Sequence, residues 1–564
     1  MHGVPRARWL VIRNASSIRT SAFSFASFRS FWAVALWWER LLLSLAIFTI
    51  LGGVVVGGYS LWISRSEIQP KHAGQYIEGF VGQPVHINPL YATSEVDQSL
   101  TALFYTGLLR TAPDGGVQLS LADSVAINDA GTEYQVFISP QAVFHDGSPV
   151  TAADVVFTIR LIQDPLVRSP LRSVWSSVEV EARGEREVVF RLKSAYFGFP
   201  KLLTLGILPE RIWRATTPEQ MERTELNTHP MGAGPVMFQE LKTAKNGEVL
   251  SIRGLAFEKY RGGEPYLQRF LFKFFDSEAL AKSALAAKDI DHFLPIVERP
   301  EGVDSMLQMR SYGVFANPKP GSVLADTNMR KLLSEVLDRD AVLDARSVRG
   351  AALFDPFLSE NLVDPRPWVG QAKFVEELGK MGYKADGGKW KKDDKVLKLT
   401  LTTPDWPELY AVATAVAESY QKLGVEVELR TLDATALRSA LRTRDYDLLL
   451  YAVGMMTEPD MYGLWHSSEK DEGGQNLANF STPELDKLVE DFRKTLSEGD
   501  RGEIEKKILT ELRKYQPVWW LYSPVYEYLD RTPLLGRTVG RVSQLAERYA
   551  DVERWYVTTT RVWK

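Results

Sequence analysis

Few side chains in this sequence have the types and spacing that catalysis or metal binding requires. The 564 residues include no cysteine, and the seven histidines are scattered along the chain. Without cysteine there is no disulfide, no thiolate metal site, no thiol nucleophile and no cysteine-linked lipid. The sequence also has no HExxH pair, no GxSxG elbow, no GxxxxGK loop and no GxGxxG motif. We therefore expect no catalytic residue, no metal site and no cofactor.

His145 and Ser148 are the pair that most invites a hydrolase interpretation. They lie in the segment FHDGSPVTAADVVFTIRLIQDP, residues 144–165. The Asp-Gly pair is typical of a turn, and Thr151 followed by Asp154 has the spacing of a helix cap. This pattern favours a polar turn in an edge hairpin that leads into a helix, and it assigns the pair no chemistry.

Strand and helix patterns alternate in the middle of the chain. Residues 396–401 alternate as a strand, residues 404–423 have a helical pattern that ends at Gly424, and VEVELRTL alternates again. A short helix over residues 434–442 then leads into the apolar strand YDLLLYAVG. This order predicts α/β lobes around a mainly parallel sheet with right-handed crossovers.

Length and charge narrow the class of protein. A single core stops growing at about 250–300 residues, so this chain is expected to form two or more lobes. The formal net charge is -4, from 67 basic and 71 acidic residues. A charge so small gives no field that would attract nucleic acid. We therefore expect no nucleic-acid partner.

Residues 41–63 carry no charge and are long enough to cross a membrane as one helix. Six arginines and one acid, Glu39, precede them, so the positive-inside rule places the start of the chain in the cytoplasm and the rest outside. Trp37, Trp38 and Trp62 flank the span, where aromatic rings favour the headgroups. A cleaved signal peptide is the alternative, but about forty residues precede the apolar stretch, whereas a signal peptide has a short basic leader.

Residues 144–165 closely resemble the motif of the dipeptide- and oligopeptide-binding family of bacterial extracellular solute-binding proteins, family 5. Further segments resemble that family in the same order along about 450 residues. They include QPVHINPL, LFYTGLL, LGILPERIW, HPMGAGPVMF, FEKYRGGEP, DTNMRKLLSEVLDRDAVL, RDYDLLLYAVGMMTEPDMY, NLANFSTPELDKLVEDF and YQPVWWLYSP. The resemblance implies a periplasmic-binding-protein-like α/β fold of two lobes with a hinge and an inserted subdomain, here preceded by one transmembrane helix.

The resemblance also implies domain boundaries. The predicted segments are a basic segment (1–40), the transmembrane anchor (41–63), a polar tether (64–74), lobe I (75–110, 200–320 and 521–564), the inserted subdomain (111–199) and lobe II (321–520).

Two stretches match the loops that line the ligand cleft of the family. The first is Thr93, Ser94 and Glu95, which align with a segment that pairs its backbone with bound peptide. A solvated loop before a helix explains them equally well, because Glu95 would then lie favourably at the helix N-terminus. The second is GMMTEPD, from Gly454 to Asp460, which follows a buried strand at the end where open α/β sheets bind ligands.

The second loop departs from the family pattern. Peptide binders of this family have an aspartate four residues before the loop proline, where it pairs with the amino terminus of the peptide. Met455 occupies that position here. Either Glu458 or Asp460 substitutes for the missing acid, or the ligand has no free amine. Trp465, Asn476 and Tyr522 also match neighbouring family segments, although ordinary packing or capping explains each of them too.

The resemblance leads to two hypotheses of function. In the first, a monomeric body in the periplasm or at the cell surface captures a peptide or a similar small solute and delivers it to the permease and ATPase subunits of an ABC importer. In the second, a degenerate binding fold acts as a surface receptor or assembly component without transport.

Overall fold

The computed structural model describes residues 36–295, 305–308, 310–339, 342, 370–454, 460–538 and 540–563. The chain divides into two compact units. The first consists of Met1–Gln69 with Thr559–Lys564, and the second consists of Pro70–Thr558.

The first unit contains one long helix and a two-stranded sheet. The helix spans Trp37–Arg65, and among the described residues it is the one helix whose length and composition could carry it across a membrane. The strand Ser66–Pro70 follows it directly and pairs with Thr559–Trp563. Residues 64–74, which the sequence predicts as a tether, thus begin as the end of the helix and continue as the paired strand Ser66–Pro70, and only residues 71–74 belong to neither a helix nor a strand.

The first large sheet of the second unit is built from three distant parts of the chain. Gln75–Val81 lies inside it and pairs in parallel with strands on both sides, while the outer pairings are antiparallel. Helices Glu95–Phe104 and Glu278–Ala286 accompany this sheet. Its six strands, in spatial order, are Leu529–Asp530, His292–Phe293, Gln75–Val81, Arg269–Phe275, Val249–Ala256 and Val236–Thr243.

The second large sheet contains the alternating elements that the sequence predicts. Helices Pro407–Gln421 and Ala434–Thr443 connect three parallel strands, and Gly424 takes the expected positive φ of 83°. Two further strands pair antiparallel, so the sheet is mixed rather than mainly parallel. The spatial order is Glu426–Leu432, Lys398–Pro404, Leu448–Gly454, Arg310–Ala316 and Val518–Tyr522. Other helices in this part of the chain are Thr327–Glu335, Gln371–Lys380, Tyr462–Trp465, Pro483–Lys494 and Glu498–Tyr515.

A four-stranded antiparallel sheet lies within the predicted insert. Helix Ala152–Gln163 starts at the predicted cap, because the backbone N–H of Thr151 donates to Asp154 at 2.8 Å and the Thr151 hydroxyl accepts from the Asp154 N–H. Short helices span Arg172–Trp175, Phe199–Leu202 and Glu210–Trp213. The strands, in spatial order, are Ala122–Ile127, Glu133–Ile138, Glu187–Arg191 and Glu179–Arg183.

His145 holds the turn of the most specific motif against the glycine-rich strand entry. Its ring Nε2 donates to the carbonyl of Gly234 at 3.0 Å, and its backbone N–H donates to the carbonyl of Gly232 at 2.8 Å. A Cβ at Gly232 would lie 2.2 Å from the backbone oxygen of Phe104, so only glycine fits there. The histidine is therefore a packing residue, as the sequence pattern favours.

The chain passes between the two large sheets twice. Both passages run through one small sheet, in which Ser305–Gln308 pairs antiparallel with Val525–Glu527 and parallel with Arg541–Val542. Smaller ladders join Leu109–Thr111 to Val117–Leu119, and Lys389–Lys392 to Lys384–Asp386 and Lys395–Val396.

Candidate functional site

A cavity of about 820 Å³ opens beside the N-terminus of helix Glu95–Phe104. Its wall comes from the loop before this helix, from Pro170 to Trp175 of the inserted sheet region, and from Ser543 to Ala550. Arg310 and Gly454, which pair with each other in the second sheet, complete the lining. The volume lies within the usual range of small-molecule sites. The cavity is thus lined by residues of the second large sheet, of the helix Glu95–Phe104 that accompanies the first sheet, and of the inserted region.

The first predicted loop lies at this cavity. Thr93 and Glu95 are among the lining residues, and the Ser94 hydroxyl caps the helix by accepting from the Asp97 N–H at 3.0 Å. The segment therefore starts a helix and also faces a cavity, while its pairing with bound peptide stays a prediction.

Glu95 is the acid of the cavity wall whose negative charge is compensated least by the rest of the protein. Burial raises the pKa of its carboxyl above the ordinary value, and the positive charges of Arg548 and Arg310 offset this only in part. The side chains of Glu95 and Arg310 form no hydrogen bond or ion pair within the described part of the chain. A partly desolvated carboxylate of this kind gains most when a cation approaches it.

The other charges in the wall have partners. Lys201 lies 2.8 Å from Glu547, and Arg110 lies 2.9 Å from Glu553 and over the ring of Tyr260. The Glu547 carboxylate also accepts from the Ser543 N–H and hydroxyl. These pairs attach the segment 543–553 to the rest of the wall. Sequence reasoning missed them, and it also missed Arg310, because isolated charges separated by hundreds of residues carry no local pattern.

The second predicted loop is described only at its two ends. Gly454 lines the cavity, while Met455 and Glu458 lie outside the described residues. Asp460 lies 2.8 Å from Arg493 and accepts from the Tyr462 N–H at 3.1 Å. Burial raises the pKa of the Asp460 carboxyl, and the positive charge of Arg493 partly offsets this rise. Its carboxylate is therefore engaged within the protein and is not among the groups that line the cavity.

The three weaker candidates are buried in the interior and do not line the cavity. Trp465 packs in the core beside the helix Pro483–Lys494, and Tyr522 stacks on Tyr312 with ring centroids 4.6 Å apart. The side-chain amide of Asn476 donates to the carbonyl of Phe480 at 2.8 Å. These contacts are the packing and capping roles that the sequence leaves open for them.

Metal-binding geometry is absent from the described ranges, since they contain no cluster of three or more histidine, cysteine or acidic residues that could hold a metal ion.

Comparison with known proteins identifies the family. The model of the bacterial extracellular solute-binding proteins, family 5 Middle, matches residues 116–475. The oligopeptide-binding protein AppA of Bacillus subtilis (strain 168) is 27% identical over 483 residues, which cover 82% of this chain and 88% of that protein.

Solved structures show the same fold. The structure of AppA from Bacillus subtilis in complex with a nonapeptide aligns with a TM-score of 0.64 and 26% identity, and it covers 87% of this chain and 100% of that one. The ABC transporter substrate binding protein CtaP from Listeria monocytogenes aligns with a TM-score of 0.70 and 24% identity, over 86% of this chain and 99% of that one. These matches confirm the predicted α/β fold of two lobes. The chain belongs to the bacterial extracellular solute-binding proteins, family 5.

Proposed function

We propose that this protein captures peptides or similar small solutes outside the cytoplasmic membrane and delivers them to an ABC importer, without chemistry of its own. The observation that carries the proposal is the cavity of about 820 Å³ with Glu95 and Arg310 in its wall. Two side chains of opposite charge that have no ion-pair partner among the described residues suit a ligand that brings its own charges, as a peptide does. AppA, the relative described above, is named as an oligopeptide-binding protein.

Glu95 supplies the negative charge for a ligand amine in this proposal. The sequence suggests Glu458 or Asp460 for this role because Met455 replaces the usual acid. Asp460 already pairs with Arg493, whereas Glu95 faces the cavity and lies partly desolvated. An ammonium group next to Glu95 would form a charge-assisted hydrogen bond, which contributes about 1.5–3 kcal/mol.

The helix Trp37–Arg65 anchors the protein in this proposal. The arginine-rich start lies in the cytoplasm and the body lies outside, because arginine resists translocation. The body is a monomer in this proposal. Protease added to intact spheroplasts should then digest the body, whereas a protected body would contradict this topology.

The test of the function is to identify what the protein carries. The full chain is purified in lipid nanodiscs, copurifying solutes are identified by mass spectrometry, and their binding is measured by calorimetry. A peptide or related solute that binds with micromolar or tighter affinity supports the proposal. Loss of its uptake when a neighbouring permease gene is deleted establishes import. Binding without any such uptake would instead favour the receptor hypothesis.

A further inference from the structure

The two-stranded sheet that directly follows the helix Trp37–Arg65 is small, yet it carries large apolar side chains. We call the strands Ser66–Pro70 and Thr559–Trp563 the anchor clasp; they pair although about 490 residues separate them. Within the second unit, the Lys71 N–H donates to the carbonyl of Thr558 at 3.0 Å, so the chain segments that lead into the clasp are also held together. The clasp is thus a paired sheet within the segment that the sequence predicts as a polar tether.

An isolated pair of strands is only marginally stable in water. The anchor clasp is nevertheless largely exposed, and all five residues of Thr559–Trp563 are exposed. Ile68 is 60% exposed and Trp563 is 59% exposed. Large apolar side chains on such a small sheet indicate that another surface covers it.

One face of the clasp combines apolar and basic side chains. Arg561 donates to the hydroxyl of Ser66 at 3.2 Å, and its guanidinium lies over the ring of Trp62 at 5.8 Å from the centroid. Since side chains alternate along a strand, Ile68 shares the face of Ser66, and Trp563 shares that of Arg561. Tryptophan and arginine together are the side chains that favour the headgroup region of a bilayer.

We propose that the anchor clasp docks on the phospholipid headgroups of the membrane that the helix Trp37–Arg65 spans. This inference rests on the proposed anchoring. The helix has 29 residues, and at about 1.5 Å per residue its length of about 43 Å matches a bilayer with its headgroups. Ser66 follows Arg65 without a linker, so the clasp begins at headgroup level. The basic Arg65 and Arg561 complement anionic lipid, which favours lipid over a second copy of this basic face.

Depth-dependent fluorescence quenching tests this placement. The chain has no cysteine, so a single Ile68→Cys substitution can carry a fluorophore in the full chain, held in nanodiscs of phosphatidylethanolamine and phosphatidylglycerol. Lipids with a nitroxide on the headgroup should quench this label strongly. A label on Gln69→Cys, on the opposite face of the strand, should be quenched less, and a water-soluble form of the fluorophore added free to the same nanodiscs should be quenched least.

Each outcome decides a separate point. Quenching at Ile68→Cys that does not exceed that of the free fluorophore overturns the docking. Quenching that is stronger at Gln69→Cys than at Ile68→Cys overturns the assigned face. Adding Arg561→Glu should weaken quenching at position 68, and an unchanged signal contradicts the role of the basic face.

Crosslinking between two copies through Ile68→Cys would identify a second copy as the occupant instead. A chain that never enters nanodiscs refutes the anchoring itself, while calorimetry with peptides reports separately on the proposed function.

Discussion

The guanidinium of Arg548 lies 3.3 Å from the carboxylate of Glu78, although 470 positions separate the two residues. Arg548 is buried, and it also donates to the hydroxyl of Ser99 at 3.0 Å and to that of Tyr549 at 2.8 Å. The same arginine acts electrostatically on Glu95 in the cavity wall. One buried charge therefore joins the central strand of the first sheet, the helix at the cavity and a late segment of the chain.

Replacing Arg548 by methionine should destabilise the protein strongly. The change leaves the buried Glu78 carboxylate without its cation, and breaking a buried pair in this way costs about 3–5 kcal/mol. Urea denaturation measures the free energy of unfolding. The control is Arg554→Met, because the Arg554 side chain is 63% exposed and should change stability by less than about 0.5 kcal/mol. Equal effects of the two substitutions would contradict the structural role of Arg548.

Replacing Glu95 by glutamine should stabilise the protein at neutral pH. Because burial raises the folded-state pKa of Glu95, ionisation of this carboxyl penalises the folded state above that pKa. The penalty disappears as the pH falls through the raised pKa to below the ordinary value of 4.5. The melting temperature of Glu95→Gln should therefore exceed that of the wild type at pH 7 but not at pH 4.

The same substitution should weaken the binding of peptides that have a free amine, because the proposed partner of the ammonium is lost. Calorimetry should show a decrease of about tenfold or more for such peptides and a smaller change after the peptide amine is acetylated. Glu258→Gln, at an exposed position outside the cavity, is the matched control and should change neither property. Unchanged affinity of Glu95→Gln would refute the assigned role.

His145 should make the protein sensitive to mild acid. Burial lowers the pKa of His145 from 6.5 to about 4, so the unfolded chain takes up a proton at a higher pH than the folded one. The contribution of His145 to the free energy of unfolding has its full value above pH 6.5. It decreases by roughly 1–3 kcal/mol as the pH falls from 6.5 through about 4. Denaturation curves between pH 7 and pH 4 should show this loss, and His145→Asn should show less of it. Identical pH profiles would exclude His145 as the cause.

Restoring an acid at position 455 should strengthen the binding of amines. By the resemblance to the family, Met455 stands where peptide binders carry the acid that pairs with the amine, and Met455→Asp should raise the affinity for peptides with a free amine by roughly tenfold. Asp460→Asn should instead lower the stability, because Asp460 pairs with Arg493. A loss of affinity without a loss of stability in Asp460→Asn would show that Asp460, rather than Glu95, binds the ligand.

A chain that begins at Gln75 should fold as a soluble monomer. Its first strand starts at Gln75, and the compact second unit spans Pro70–Thr558. No described core residue of this unit comes from the apolar helix. Light scattering should report one copy per particle, and the melting temperature should match that of the full chain. Aggregation under every condition tried would contradict this prediction.

The sequence by itself determined the features that depend on neighbouring residues. Short-range patterns predict three of these features, namely the cap at Thr151, the alternating elements between residues 398 and 454, and the apolar helix Trp37–Arg65. The family followed as well, because its motifs are contiguous segments. Within the site, the sequence pointed to Thr93, Glu95 and Gly454, which do line the cavity.

Only the tertiary structure decided which distant residues meet. The strand Arg310–Ala316 belongs to the second sheet, although the predicted boundary at residue 320 assigns it to lobe I, and the predicted boundary at residue 520 falls inside the strand Val518–Tyr522. The cavity wall likewise brings together Glu95 and Arg310, which are far apart in sequence. The ion pair of Asp460 with Arg493 and the pairing in the anchor clasp also join separate segments of the chain. The physical reason is that pairing between distant strands and charges depends on the packing of the whole core, which leaves no periodic pattern in either segment alone.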